Sequence, residues 1–348
     1  MTIWIDGRAA CTASRTGKGQ WVLRAVTALL KHTPLTILTD GSPVPESWRV
    51  PNATIRALPK GLTWHLAAMR MLRNERPHIY VAPSSFIVPS ILPGSIRCIP
   101  VVHDLIAFQR DPHEWKALCI ERLTLGRTLR RAAHICTISD STKKDLLKQF
   151  PFVRSEDVSV VFAGPLDEHP PVSIPDHQTI LCPGTLCPRK NQQRLLQAYA
   201  GLPVDLRKRY QLLLIGGRGW KDEEIVSLAQ NTPGAQWQGY VPEAQYRALL
   251  SRCTVLAFPS LYEGFGLPVL DALQRGIPVL TTNRGSLPEV AGDCAVTVDP
   301  ESVESIRRGL ERMLTDGNLR EKLRECGPQQ AKKFSWERTA EILLSVLQ

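Results

Sequence analysis

Ten short runs of Val, Ile and Leu without polar alternation punctuate this chain, and amphipathic stretches of helical period lie between them. The runs are Leu35–Thr39, Ile79–Ala82, Cys98–Val102, Ile135–Ile138, Val158–Phe162, Ile180–Cys182, Leu212–Ile215, Val255–Phe258, Pro278–Thr281 and Ala295–Val298. The helical patterns include Gln20–Lys31, Leu62–Arg76, Trp115–Arg131, Gln192–Ala200, Glu243–Ser251 and Val303–Leu314. Unalternated apolar runs fit strands buried on both faces of a parallel sheet. Strand–helix–strand repetition then requires right-handed crossovers and predicts doubly wound, Rossmann-like α/β domains. Met1 to Asp6 reads as one more, opening strand, without the basic-then-apolar order of a signal peptide.

A length of 348 residues favours two such domains over one. The segment Asp167–Asp176 carries three prolines among polar residues and reads as a semi-rigid linker. We therefore expect an N-terminal domain over 1–168, a linker over 169–178 and a C-terminal domain over 179–348, with the last helix packing back on the first domain. Two such domains facing each other would leave a cleft at the carboxyl ends of their strands, where open α/β sheets take ligands. Residues 79–96 hold no charge for the length of a membrane span, but Pro83, Pro89 and Pro93 interrupt them. Buried strand plus loop is the expectation there, not a transmembrane helix.

Composition removes other classes. With 43% hydrophobic and 22% charged residues the chain can bury two cores, which excludes a disordered or collagen-like protein. Nine cysteines, odd in number and without a C-x-x-C pair, fit reduced, mostly buried thiols and a cytoplasmic setting. The net charge of +10 is uneven: residues 1–175 carry 22 basic and 14 acidic side chains, residues 176–348 carry 21 and 19. A basic first half points to an anionic partner or simply to a solvated surface rich in arginine. The segment Leu62–Arg76, with Leu62, Leu66, Met69 and Leu72 on one face and Arg70, Arg73 and Arg76 off it, would pack on its own sheet or rest on an anionic membrane. A second basic helix ends at Arg130 and Arg131.

Three segments carry candidate chemistry. Gly17 and Gly19 stand at a helix entry, where amides and the helix dipole can approach a phosphate. Val22 replaces the third glycine of a dinucleotide fingerprint and the Walker pattern fails at Lys18, so a plain flexible turn fits as well. In the second segment, Gly184 follows a strand and Arg189-Lys190-Asn191 precedes a helix. A guanidinium fork beside a mobile ammonium suits a diphosphate, and a solvated basic turn is the alternative. The third, Phe258 to Asp271, reads as strand, Gly-rich loop and proline-opened helix, with Glu263 and Asp271 eight positions apart. Carboxylates accept hydroxyl hydrogen bonds while helix-start amides meet anionic oxygens, an arrangement able to hold a polyhydroxylated, charged ligand.

This third segment resembles the signature of the retaining GT-B glycosyltransferases called group 1 or family 4: two acids separated by seven residues around G-F-G-x-P. The resemblance continues in order through most of the chain. It takes in the Gly17/Gly19 loop, Val102-His103-Asp104-Leu105, Ile138–Thr142, Gly184 through Asn191, Leu214–Gly217, Gly239–Pro242 and Ser286–Val290. It implies a GT-B pair of Rossmann-like domains, the N-terminal one binding the acceptor and the C-terminal one the nucleotide sugar, and metal-independent transfer of a sugar, mannose from GDP-mannose first, from a nucleotide diphosphate to a glycan or lipid-linked acceptor of surface-polysaccharide synthesis. It also implies roles. Arg189 and Lys190 would neutralise the departing diphosphate. Glu263 would hold sugar hydroxyls and Asp271 the ribose, while His103 would lie at the reacting sugar. Gly17 and Gly19 would approach the donor phosphate, Gly184 would help bind the donor and Gly216 would lie near the nucleotide; the amides of Phe265, Gly266 and Leu267 would line sugar and phosphate, and the backbone of Tyr240 and Val241 would meet the base. Asp271 is one methylene shorter than the family's usual Glu, and Phe162–Asp167 replaces a segment that commonly begins Asn-Gly.

Other residues read as structure. Ser286-Leu287-Pro288-Glu289 has the form of a capping box. His65, His78, His113, His134 and His177 form no metal spacing, and no Asp-x-Asp exists to bridge a metal to a diphosphate. No cofactor is expected. Two rivals remain: a sugar-nucleotide epimerase of the same fold, and a basic nucleic-acid binder, against which the lack of a basic-aromatic motif speaks. Peripheral attachment to the inner face of the cytoplasmic membrane would follow from a lipid-linked acceptor.

Overall fold

A computed structural model describes all residues except Ser14, 110–114 and 168–176; the side chains of Leu62 and 115–117 are likewise outside the description. Most of the expected linker and His113 therefore lie outside the described residues. The chain divides into two compact units, 1–164 with 335–348, and 165–334.

In the first unit seven strands form a parallel sheet: β1 (Ile3–Asp6), β2 (Leu35–Thr39), β3 (Ala53–Ala57), β4 (Ile79–Ala82), β5 (Arg97–Val102), β6 (Ile135–Thr137) and β7 (Val158–Val160). Their order is β3-β2-β1-β4-β5-β6-β7, with every pair parallel. The helices are α1 (Gly17–Leu29), α2 (Leu62–Glu75), α3 (Ile87–Ile91), α4 (Trp115–Arg131) and α5 (Asp140–Gln149). In the second unit β8 (Thr179–Pro183), β9 (Gln211–Ile215), β10 (Ala235–Trp237), β11 (Val255–Ala257), β12 (Val279–Thr282) and β13 (Val296–Val298) take the order β10-β9-β8-β11-β12-β13. Around them lie α6 (Gln192–Ala200), α7 (Val204–Arg209), α8 (Glu223–Asn231), α9 (Glu243–Leu250), α10 (Leu267–Gln274), α11 (Leu287–Ala291), α12 (Val303–Thr315) and α13 (Gly317–Ala331). Strand order reverses between β1 and β4 in one unit and between β8 and β11 in the other. Each unit is thus a doubly wound, Rossmann-like α/β fold with one topological switch point.

The central strands β1, β4, β11 and β12 are buried at every residue, as unalternated apolar runs require. Edge strands β3 and β10 are partly exposed. The last helix, α14 (Trp336–Leu347), completes the first unit. Ser335 caps it, its Oγ accepting from Arg338 N at 3.1 Å, and Thr339 Oγ1 donates to Phe162 O at 2.5 Å. Glu337 meets Lys31 at 3.1 Å and His32 at 3.2 Å, which fixes the helix against the end of α1.

Three expectations need correction. Cys294 and Cys326 form a disulfide, so the thiols are not all reduced; the other seven are free and all but Cys119 are buried. Two cysteines 32 residues apart have no recognisable spacing, and only the packing of α13 brings them together. On α2 the buried face is Trp64, Ala68 and Leu72, while Leu66 is 64% exposed. Bulky Trp64 sets the stripe in place of Leu66, its indole donating to Thr39 O at 2.9 Å. Finally, the uncharged stretch 79–96 is strand β4, a loop and the short helix α3, not strand and loop alone. Among the described residues no helix is long and apolar enough to cross a membrane.

Candidate functional site

The carboxyl ends of β8 and β11 flank the switch point of the second unit, and both expected charged segments are there. Residues 188–190 form a turn of 3-10 helix after β8, and Asn191, at φ 62°, starts α6. A left-handed residue is tolerated best by Gly and Asn. The Asn191 side chain also donates to Pro259 O at 3.0 Å and Pro300 O at 2.7 Å, tying the ends of three strands together. Gln192 donates to Thr185 O at 3.1 Å. The loop is therefore fixed before any ligand arrives.

Lys190 Nζ lies 2.6 Å and Arg189 Nη1 3.0 Å from the same atom, Oε1 of Glu263. Arg189 Nη1 also donates to Tyr262 O at 2.7 Å, and Leu261 N to Arg189 O at 2.8 Å, so the two loops are stitched through main chain as well. Lys190 Nζ stands 4.6 Å from the centre of the Phe258 ring, a cation–π contact. All three charged side chains are largely buried. Burial alone would raise the Glu263 pKa, but Arg189 and Lys190 overcome it and hold the carboxyl down at about 2. Burial lowers the pKa of Lys190, with Glu263 opposing. Two cations against one carboxylate leave this cluster with a surplus positive charge.

The Glu263 loop is held from behind. Gly285, at φ 55°, backs directly on it: a Cβ there would lie 2.5 Å from Glu263 O. The Ser286 hydroxyl lies within hydrogen-bonding distance of Glu263 O (3.0 Å) and Phe265 O (2.7 Å). This overturns the capping-box expectation. Ser286 makes no side-chain cap on α11, because its hydroxyl is committed to the carbonyls of the neighbouring loop. Gly266, at φ 103°, is the N-cap of α10, which places Phe265, Gly266 and Leu267 at the helix entry as expected.

The second acid behaves differently. Asp271 is 3% exposed; its Oδ1 accepts from Leu166 N at 2.9 Å and its Oδ2 from Tyr246 OH at 3.2 Å. Burial raises its pKa to about 6 despite those bonds. Next to Leu166, Asp167 is gripped by Arg247 at 2.8 Å and Arg275 at 2.9 Å. Asp271 thus fastens the first residues of its unit. The shorter side chain reaches Leu166 N and Tyr246 instead of open space.

Other expected positions fall as follows. Gly184 (φ 135°) and Gly216 (φ 141°) touch: a Cβ on Gly216 would lie 2.1 Å from Gly184 O, so glycine is required at 216 for the ends of β8 and β9 to meet, while at 184 it is the backbone angle that favours glycine. Gly216 N donates to Gly239 O at 2.7 Å. Tyr240 is 52% exposed and Val241 partly buried, both just before α9.

In the first unit, α1 starts at Gly17, three residues before the expected Gln20, because Thr16 caps it by accepting from Gly19 N at 3.4 Å. Gly17 and Lys18 therefore lie in the first turn, where amides have no intrahelical acceptor. A Cβ at Gly19 would lie 2.4 Å from Ala9 O, so glycine is required there by packing. His103 follows β5, 6% exposed and edge-on to Trp21. Its Nε2 donates to Pro83 O at 2.7 Å, which leaves Nδ1 as an acceptor. Burial, then Lys18, lower its pKa to about 3 against that bond, so the ring is neutral. Among the described residues no three His, Cys, Asp or Glu side chains are placed to hold a metal ion.

Comparison with known proteins shows the family of this chain. Residues 166–330 match the model for glycosyl transferases group 1, and residues 23–164 that for glycosyltransferase family 4. The chain is 34% identical over 281 residues to the O-antigen chain mannosyltransferase B of Escherichia coli, covering 76% of this chain and 73% of that protein. Sucrose-phosphate synthase from Thermosynechococcus elongatus shares the fold, with a TM-score of 0.82 at 17% identity over 100% of this chain and 98% of that one. Anabaena HepE, solved in complex with UDP-glucose, gives a TM-score of 0.78 at 12% identity over 100% and 99%.

Proposed function

We propose a donor, an acceptor class and a reaction course for this protein, which belongs to the group 1/family 4 glycosyltransferases and so transfers sugars. The donor is a nucleotide diphosphate sugar, GDP-mannose first, with UDP- and dTDP-sugars as competitors. The acceptor is a glycan or lipid-linked glycan of surface-polysaccharide assembly, and the anomeric configuration is retained without a metal. The observation that carries this reading is the convergence of Arg189 and Lys190 on Glu263 at the ends of β8 and β11. The mannosyltransferase relative supports the choice of sugar.

The chemistry follows from charge. As the glycosidic bond lengthens, negative charge accumulates on the leaving diphosphate while the sugar becomes oxocarbenium-like. Cations and amides already fixed in place bind that charge without reorganising, and groups that bind it better in the transition state lower the barrier. In the free protein Glu263 keeps Arg189 and Lys190 in position. An incoming diphosphate competes for the two cations, and the carboxylate, held ionised at a pKa of about 2, then accepts sugar hydroxyls. Neutral His103, with Nδ1 as acceptor, suits a sugar hydroxyl too.

The test is a thermal-shift series with GDP-mannose, UDP-glucose, dTDP-glucose and free nucleotides. A true donor at 100 times its dissociation constant stabilises the protein by about 2.7 kcal/mol. No shift with any sugar nucleotide contradicts the reading, and consumption of donor without acceptor points to an epimerase instead.

We also propose a peripheral place at an anionic membrane surface. Ile120 (45% exposed), Leu123 (77%), Arg127 and Arg130 follow one another along a single face of α4, and Arg130 lies 4.3 Å from the centre of the exposed Phe152 ring. Co-sedimentation with vesicles should require anionic lipid and weaken with salt. Binding indifferent to both rejects it.

A further inference from the structure

We propose that the Cys294–Cys326 disulfide, with Gln330, is a brace that positions the Glu263 loop through α11, so that its reduction weakens donor binding. The donor part of this statement rests on the reading given above. Helix α11 has five residues, too few to be stable alone, so its neighbours hold it in place.

Its start is joined to the site: Ser286 bonds the Glu263 and Phe265 carbonyls, and Leu287 packs against Gly266, where a Cβ would lie 2.8 Å from Leu287 Cδ2. Its end is joined to α13: Gln330 Nε2 donates to Glu289 O at 3.1 Å and Val290 O at 3.2 Å, and Gly292 lies against the Gln330 amide. Three residues beyond α11, Cys294 is bonded to Cys326 on the same α13. The segment after α13 touches the loop itself, Phe334 standing edge-on to Phe265 at 5.6 Å. One helix therefore braces the loop by two routes, and the route through α11 includes a disulfide, a fastening that a dithiol can open by exchange. Cys326 is partly exposed, so a small dithiol can reach the bond. Exchange with that dithiol breaks the S–S bond and passes two electrons and two protons to Cys294 and Cys326; the dithiol leaves as its own disulfide.

The experiment uses the full chain with Cys119→Ser, which removes the exposed thiol, before and after treatment with dithiothreitol. Hydrogen exchange of the peptide covering residues 261–267 should quicken about threefold on reduction while circular dichroism is unchanged. The KM for the sugar nucleotide should rise about threefold with kcat nearly constant. The Cys294→Ala/Cys326→Ala variant should match the reduced protein and ignore dithiothreitol, whereas Gln330→Ala should loosen the loop and still respond. A loop equally protected in both redox states overturns the brace, as does a count of eight free thiols in the denatured, unreduced Cys119→Ser protein. Faster exchange with no donor bound by either form keeps the brace and rejects the donor reading. Normal donor binding with unchanged exchange does the reverse.

Discussion

Glu263 and Asp271 are both buried carboxylates of one loop–helix segment, yet their acidities are driven in opposite directions, one down to about 2 and the other up to about 6. Burial is similar and so is not the cause of the difference. Glu263 faces two cations within 3.0 Å; Asp271 accepts from a backbone amide and a phenol and feels the charge of Arg275, which together do not offset its burial, while the negative charge of Asp167 adds to the cost of ionising it. Two acids at a recognised spacing thus have different partners: one gathers two cations, the other fastens the chain.

The largest effect that would break this contrast comes from Glu263→Gln. Removing one partner of a buried ion pair typically costs about 3–5 kcal/mol, and here two cations lose their anion. Urea unfolding at pH 7 should show a loss of that order. The folded pKa lies below the unfolded value, so the stabilisation from Glu263 is complete above about pH 4.5 and vanishes as pH falls through about 2. A variant as stable as the parent would mean the cluster is not buried as described.

Asp271→Asn should act more weakly and with the opposite pH dependence. Its folded pKa is raised, so wild-type stability falls as pH rises from about 3.9 through about 6, by at most about 3 kcal/mol. The amide does not titrate, so the variant should gain on the parent across that window. A difference flat with pH would mean that Asp271 is not buried as described. Tyr246→Phe, which removes one donor from the same carboxylate, sharpens the comparison with a cost of about 1.5 kcal/mol.

Much of this architecture was legible because central parallel strands are apolar at every position: β4 (Ile79–Ala82) and the helices over Trp115–Arg131 and Gln192–Ala200 lie where their patterns put them. Edge strands β3 and β10 were not singled out, since Ala53–Ala57 and Ala235–Trp237 mix polar and apolar residues as half-exposed strands do. Within the site, residue types and strand-end positions pointed to Arg189, Lys190 and Glu263. What they could not carry was partnership between distant segments. Ser286 looked like a cap because its neighbours in sequence suit one, while its actual partners are more than twenty residues away. Asn191 bonds to the ends of two other strands and Cys294 to a helix far along the chain, and nothing local announces either.

The central claim is that Lys190 and Arg189 meet the charge of a departing diphosphate, and steady-state kinetics of purified Lys190→Ala with a sugar nucleotide and its acceptor test it most directly. The expected result is a fall in kcat of about 10²–10³-fold with a much smaller change in KM, as for loss of one preorganised donor to a developing anion. A variant that turns over like the parent, or one that loses only affinity, would contradict it.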